Sequence, residues 1–546
     1  MCRLTAAKAA TIFYKKLIKK VLLIVPPLVN LEEGKSSPDR LDFEAYRLVS
    51  PVEPTSVAAD LLSRGFEVKI FDLGAYETGK LQKLSRFISD FTPDAAVIVQ
   101  SILTFATAQD WDGQPAFDLV RGHSPRAVTV LTGGHATNYH GDAVKRGVCD
   151  FSIRGESDFA VGDLLERLNR GSALSGLAGL AFRTAGGELC LSDAYPEVEL
   201  SKLPLPAYHV FDAGQLSRYS QMLERGKIRF PEKSARYRDI MTSRSCVLRC
   251  SFCSVAHLRG ERQKYRRKPL ENVIPEIEQA LEQGVEEIHF FDDLFAENEK
   301  QILAFTDALR KRNLRFNWFV AQGMPLWPLT AEAVAAMKET GMYRIICPLE
   351  SGSDRVLKRV VGKAYSTVEH YARALAWASD AGLEIIGMFV VGMPGETRSE
   401  ILDTLRFAED HPEIDYSVFS IATPMVGTRL MRQVTERGQL GDADKINRVI
   451  KRTVALYRTE EFAEYELGVI RAFDWDRINF GSPERKRKYA RMVGVTPEEL
   501  DALRDHSKQT FYRFFPDYNG PLSFKELYDK TGLFAKLEPV IPDRLY

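Results

Sequence analysis

Between Lys20 and about Gly171, short apolar runs alternate with longer amphipathic stretches. KVLLIVPP, FEVKIFDL, AAVIVQSI, AVTVLTGG and CDFSIRGES read as strands, and the segments between them carry helical spacing. The strand runs are rich in β-branched residues and have little polar alternation, which suits strands buried on both faces. Five such units predict a parallel, doubly wound sheet covered by helices on each side. Pro26-Pro27, Gly133-Gly134 and Gly155-Glu156 end three of the runs. They lie on the edge where open α/β sheets hold ligands.

Residues 172–234 contain turn formers (Gly186-Gly187, Pro204, Pro206, Pro231) without sustained periodicity, and are expected to form a small subdomain and linker. A second alternation opens at YRDIMTSRS. It continues through EEIHFFDD, LRFNWFVAQG, YRIICPLESG, LEIIGMFVVGMP and YSVFSIATP. Leu270, Val273, Ile274, Ile277 and Leu281 share one helical face that stops at Gly284, and Ser366…Glu369 and Thr397…Glu400 read as capping boxes. A repeat of ~32 residues holds one strand and one helix, so six units predict a partial (β/α)6 barrel over 235–438. A complete eightfold barrel would need ~250 residues. After about Gln439 the pattern becomes helical and aromatic, with Tyr457, Phe462, Tyr465, Phe473, Trp475, Phe511, Tyr512, Phe514 and Phe515, which makes 439–546 a helical C-terminal domain. The expected division is a tail at 1–19, then 20–171, 172–234, 235–438 and 439–546.

Composition narrows the function classes. Of 546 residues, 45% are hydrophobic and 27% charged, which excludes a disordered chain. The 74 basic and 74 acidic residues balance, so no global field draws nucleic acid or an anionic membrane. The run Arg485-Lys486-Arg487-Lys488 sits beside Glu484 and reads as a solvated helix face. Val21–Val29 is broken by two prolines and falls far short of the ~20 residues of a membrane span. Residues 1–20 carry lysines but no apolar stretch ending in a cleavage site, so a cytoplasmic location is expected. Seven cysteines are too few for a disulfide scaffold, yet Cys246, Cys250 and Cys253 fall within eight residues.

SRSCVLRCSFCSVAH places these thiols at C-x3-C-x2-C, directly after the first barrel strand. Three thiolates from one loop can hold a four-iron cube and leave one iron open, whereas electron-carrying clusters normally use four cysteines. Structural zinc is the competing reading, with His257 completing a Cys3His tetrahedron. The C-terminal end of a barrel strand, where parallel barrels keep their active sites, favours the first.

With these residues in view, the sequence resembles the radical S-adenosylmethionine (SAM) superfamily over about 235–435. The likeness extends to FFDDLF at 290–295, LESGS at 349–353, GMFVVGMPGET at 387–397 and TPMVGT at 423–428. It implies a [4Fe-4S] cluster on Cys246, Cys250 and Cys253, whose open iron binds the amine and carboxylate of SAM. An injected electron then cleaves SAM to a 5′-deoxyadenosyl radical. Asp292 or Asp293 would accept hydrogen bonds from the methionyl ammonium. Glu350 and Ser351 would hold ribose hydroxyls or the sulfonium end, the alternative for Glu350 being a pair with a barrel lysine or arginine. Gly387, Gly392 and Gly395 would let backbone approach adenine. Gln322 and Gly323 would face the barrel mouth.

The first domain resembles the flavodoxin-like cobalamin-binding module of one branch of that superfamily, over about 20–200. Gly133, Gly134, Gly155 and Glu156 are the expected cobalamin contacts. The D-x-H-x-x-G loop that supplies a histidine to cobalt is missing, VPPLVNLEEG standing in its place, and His135 and His140 read as solvated loop residues, the alternative being neighbours of the corrin. The competing reading is a cofactor-free flavodoxin-like domain for protein contacts. A methylthiotransferase is excluded on this reading, because its amino-terminal domain carries three cluster cysteines, whereas only Cys2 and Cys149 precede the linker here.

Together these resemblances imply a cobalamin-dependent radical SAM methyltransferase. Methylcobalamin would supply a methyl to an unactivated carbon, or less often phosphorus, of a small-molecule intermediate. A reductant such as flavodoxin or ferredoxin would supply the electron. VAQGMPLW, LESGSDRVLKRVVGK and ATPMVGTRL are similar to the hydroxyethylphosphonate C-methyltransferase type within that family. The alternatives are a cobalamin-dependent radical cyclase or ring-contraction enzyme, and a non-enzymatic zinc-containing binding or sensor protein.

Overall fold

A computed structural model describes residues 2–3, 17–26, 51–76, 79–100, 112–211, 232–260, 262, 264–440, 455–502 and 504. VPPLVNLEEG beyond Pro26, Pro231, and the aromatic residues at 511–515 lie outside them. The chain forms two compact units. The first takes the described residues through 211 together with Val255–Ala280, and the second takes 232–254 and those after 280.

In the first unit, strands β1 (Lys20–Val25), β2 (Glu67–Asp72), β3 (Ala95–Val99), β4 (Val128–Thr132) and β5 (Phe151–Ile153) run parallel in the order β2-β1-β3-β4-β5. This is the flavodoxin-like order, whose switch point lies between β1 and β3. Successive side chains of each strand enter different cores, which explains the unbroken apolar runs. Val21, Leu23, Val97 and Val130 pack in one core with α1 (Val52–Ser63) and α4 (Ala160–Arg170). Leu22, Ile24, Ile98 and Leu131 pack in the other with α2 (Lys80–Phe91) and α3 (Gln114–His123). Removing one such leucine side chain to Ala would cost about 2–5 kcal/mol. Residues 172–211 are more regular than their sequence suggests: β6 (Leu180–Arg183) and β7 (Leu189–Leu191) form an antiparallel hairpin added to β5. Four and three residues are too few for periodicity to register.

In the second unit, β8 (Tyr237–Ile240), β9 (Glu287–Phe290) and β10 (Asn317–Val320) pair in parallel, as do β11 (Arg344–Glu350), β12 (Glu384–Val391) and β13 (Tyr416–Ile421). A parallel bridge from Trp318 to Met342 joins the two sets, so six strands follow one another in chain order with their C-terminal ends on a common edge. Helices α5 (Leu270–Glu282), α6 (Glu299–Lys311), α7 (Ala331–Glu339), α8 (Val368–Asp380) and α9 (Arg398–Asp410) separate them in sequence. Phe290, Phe305 and Trp318 meet edge to face in the interior, with Phe295 against them. The Thr397–Glu400 capping box forms on α9. On α8 the cap is Thr367, whose Oγ1 accepts from His370 N at 3.2 Å, so the expected Ser366–Glu369 box is displaced by one residue.

Beyond β13 the described chain is mainly helical: Glu464–Val469, a π-helical turn Ile470–Asp474, Trp475–Phe480 and Pro483–Val493. It seals the last barrel strand. The Asn479 amide accepts from Ser417 N (2.7 Å) and donates to Ser417 O (2.9 Å), standing in for a neighbouring strand. Trp475 Nε1 donates to Tyr416 Oη at 2.6 Å. The basic run after Glu484 is spent locally, Arg485 on Ile478 O, Lys486 on Asp501 and Lys488 on Asp415.

Candidate active site

The cysteine loop leaves the end of β8 and is held by the two acids that end β9. Asp292 is fully buried and accepts four hydrogen bonds: Thr242 N (2.7 Å), Thr242 Oγ1 (3.1 Å), Ser243 N (2.5 Å) and Ser243 Oγ (3.0 Å). Its carboxylate is thereby committed to the loop entrance. Asp293 accepts from Ser245 N at 2.7 Å. Ser245 has φ +66°, a left-handed conformation that L residues adopt at a cost of about 1–3 kcal/mol unless the surroundings impose it. The acids therefore set the direction in which the chain delivers Cys246.

Cys246, Cys250 and Cys253 are half-buried free thiols. Leu248 N donates to Cys246 Sγ at 3.4 Å, and Cys253 N to Cys250 O at 3.1 Å, which winds the loop inward. Burial pushes the Cys246 thiol up to about 12 and the Cys250 thiol higher still. Such thiols give up their protons when a metal centre supplies positive charge. One fixed cation stands nearby: Lys363, 4% exposed, eases the ionisation of Cys246 and Cys250. Among the described residues, no three of His, Cys, Asp and Glu are placed to hold a single metal ion.

Lys363 also pairs with Glu350 at 2.9 Å. Burial works against its ammonium, but Glu350 outweighs it and raises the lysine above its ordinary range. Glu350 ends β11 at φ +64°. Of the four described non-glycine residues with positive φ, Thr92 and Asn313 follow helices, while Ser245 directly precedes Cys246 and Glu350 ends β11. Ser351, by contrast, bonds Thr404 Oγ1 (3.0 Å) and turns toward α9. Gly387 is walled by Leu349, Phe389 and Ile414 within the strand layer. Gly392 has φ +82° and would press a Cβ to 2.8 Å from Leu467. Its N–H donates to Glu396 (2.7 Å), and its carbonyl accepts from Tyr457 (2.7 Å). These two glycines thus serve close packing within the unit. Gln322 is half-buried at the end of β10, beside Gly323.

Sequence reasoning passed over Glu396. It is 1% exposed, Oε2 accepts from Gly392 N and Met393 N, and Oε1 has no partner among the described residues. Burial pushes its carboxyl up to about 8. The signal available in the sequence was an acid directly after a Gly-Met-Pro-Gly turn.

In the first unit the expected rim residues lie at the ends of β4 and β5. Gly133 has φ +90°, and a Cβ there would stand 1.8 Å from Gln100 O, so only glycine allows these strand ends to approach. Gly134 begins a short buried helix, Gly134–Asn138. Gly155 N donates to Thr137 Oγ1 at 2.8 Å. Glu156, 1% exposed, is held by Arg266 through both oxygens (2.7 and 3.0 Å), with Arg259 at 3.5 Å. It anchors residues 255–280 within their unit. Gln100 at the end of β3 is 1% exposed; Oε1 accepts from His135 N, while Nε2 has no partner among the described residues. His135 and His140 are not solvated as expected: His135 is 5% exposed, and burial aided by Arg154 pushes His140 down to about 4.

The residues present fit the implied groups. Three half-buried thiols from one loop, with a buried cation near two of them, suit a thiolate-bound cluster. An unspent buried amide donor beside a glycine-lined strand end suits a large amide-fringed cofactor at the edge where such sheets bind ligands. Comparison with known proteins agrees. Residues 240–408 match the family model of the Radical SAM superfamily. An uncharacterised methyltransferase of Pyrococcus horikoshii is 27% identical over 76% of this chain and 82% of its own. The cytidylyl-2-hydroxyethylphosphonate methyltransferase of Streptomyces wedmorensis is 25% identical over 81% and 89%. Among solved structures, the cobalamin-dependent SAM radical enzyme OxsB with aqua-cobalamin and SAM bound superposes with a TM-score of 0.65, at 16% identity, over 96% of this chain and 75% of that one, a likeness of fold.

Proposed function

We propose that this chain, whose residues 240–408 match the family model of the Radical SAM superfamily, is a cobalamin-dependent radical SAM methyltransferase that methylates an sp3 carbon of a small molecule in the cytoplasm. The observation that carries the reading is the C-x3-C-x2-C loop at the end of β8, delivered by Ser245 and clamped by Asp292 and Asp293. Cys246, Cys250 and Cys253 would hold the cluster. Asp293, beyond the end of β9, and Glu350, which ends β11 and is held by Lys363 from beyond the π-helical turn, would orient the polar end of SAM. In the first unit, Gln100, Gly133 and Gly134 would receive cobalamin. When bound, these groups supply a SAM-derived carbon radical and a transferable methyl; the chain's own residues bind, orient and keep water out. Similarity to the hydroxyethylphosphonate methyltransferase supports a carbon acceptor on a polar, phosphorus-bearing substrate.

Feeding methyl-labelled SAM to the reconstituted protein, with candidate phosphonates including cytidylyl-2-hydroxyethylphosphonate, tests the reading. Label appearing on substrate carbon is expected. Turnover with all label retained in SAM and its by-products would contradict methyl transfer and favour a cyclase or ring-contraction reaction.

A further inference from the structure

We propose that the exposed rim of the cysteine loop is the docking face for a small acidic electron-carrier protein. The proposal rests on the reading of that loop given above. Three segments of the second unit meet there: the loop, the π-helical turn Val356–Val361, and the start of α10 (Arg429–Glu436). Ser251 N donates to Val361 O at 2.8 Å, and Leu430 N to Ser251 O at 2.8 Å. Cys250 and Phe252 pack against the apolar cluster beneath these segments.

Outward, every segment presents cations. Arg249 comes from the loop, Lys358 and Arg359 from the turn, and Arg429 and Arg432 from α10, all of them exposed. Lys358 faces Asp354 at 3.6 Å, while Arg429 donates to Val360 O at 3.0 Å. Among the described residues, no carboxylate pairs with Arg249, Arg359 or Arg429. Val247, between two of the cysteines, is 37% exposed and gives this basic rim an apolar centre. A chain with zero net charge that gathers these exposed cations around one loop bears local self-repulsion, which an acidic partner would relieve. The same charge would steer such a partner to the loop, and salt would weaken the encounter.

An RNA ligand would also see positive charge, but the three segments offer no exposed aromatic ring for base stacking. What lies directly behind them is the thiol site, which needs electrons. In the exchange the carrier is oxidised by one electron and the iron–sulfur site is reduced by one; no covalent bond of this chain changes.

The test uses anaerobically reconstituted protein and a purified bacterial flavodoxin. Binding of oxidised flavodoxin is measured by calorimetry at several salt concentrations, and cluster reduction is followed with flavodoxin hydroquinone and, separately, with dithionite. The variants are Lys358→Glu/Arg359→Glu, away from the thiols, and Arg249→Glu. Expected are a wild-type affinity that falls steeply with salt, about tenfold or greater weakening in the charge-reversed double variant, and unchanged reduction by dithionite. Salt-insensitive binding, or undiminished flavodoxin affinity in both variants, would overturn the docking face. A wild-type protein that dithionite cannot reduce would instead remove the reading of the loop on which the proposal stands.

Discussion

Lys363 and Glu350 bind each other inside the second unit, and neither tolerates losing its partner. Lys363→Met leaves Glu350, 6% exposed and near the Cys250 thiol, without its cation, a change expected to cost about 3–5 kcal/mol. Thermal unfolding of the cluster-free protein should show a clear drop in Tm. Lys363→Met/Glu350→Gln should recover most of it, since the buried charge goes with the cation. Glu396 makes a second prediction, through pH. Its folded-state pKa, about 8, lies above the ordinary value of 4.5. The folded chain therefore holds a proton that the unfolded chain releases from about pH 4.5 upward, and stability falls as pH rises through that interval, levelling off above about 8. Glu396→Gln should flatten this part of the stability curve, as denaturant unfolding at pH 5, 7 and 9 would reveal; an unchanged slope would mean that Glu396 ionises as freely folded as unfolded. At this scale the sequence pointed to the right strand ends but could not apportion roles within them. Asp292 and Asp293 are adjacent and chemically alike, and which of them meets Thr242 and Ser243 depends on the register of β8 against β9. Lys363 lies 13 positions beyond Glu350, across a π-helical turn that no periodicity announces.

Elements turn these residues into a frame. At the ends of β3 and β4 the approach is so close that Gly133→Ala must push its Cβ into Gln100 O. With a positive φ added, the variant should lose at least about 1–3 kcal/mol locally. Cobalamin retained after gel filtration should fall, while iron content stays at the wild-type level; full cobalamin retention would show that this strand end does not receive the cofactor. Thr397→Ala removes one half of the α9 capping box and should cost about 1 kcal/mol, seen as a modest Tm shift. The long strands and helices were legible because burial on two faces, or on one helical face, writes itself into residue type. The β6–β7 hairpin was not legible, since strands of four and three residues leave no pattern, and the α8 cap slipped by one because Ser366 and Thr367 are equally good caps by type.

For the whole molecule, two units imply two separable loading steps. Cys250→Ala should abolish reductive cleavage of SAM and lower bound iron, yet leave cobalamin uptake by the first unit intact. Loss of both together would mean that the units do not load independently. The sequence announced both units through their strand repeats, while the grouping of 255–280 with the first depends on Glu156 holding Arg266 across more than a hundred residues, which no local pattern encodes. The central claim is that three thiols hold an iron cube with one open corner, and metal analysis after anaerobic reconstitution tests it most directly. The account predicts roughly four iron and four sulfide per chain with absorbance near ~400 nm that shifts when SAM is added. One zinc per chain, with no such absorbance, would contradict it.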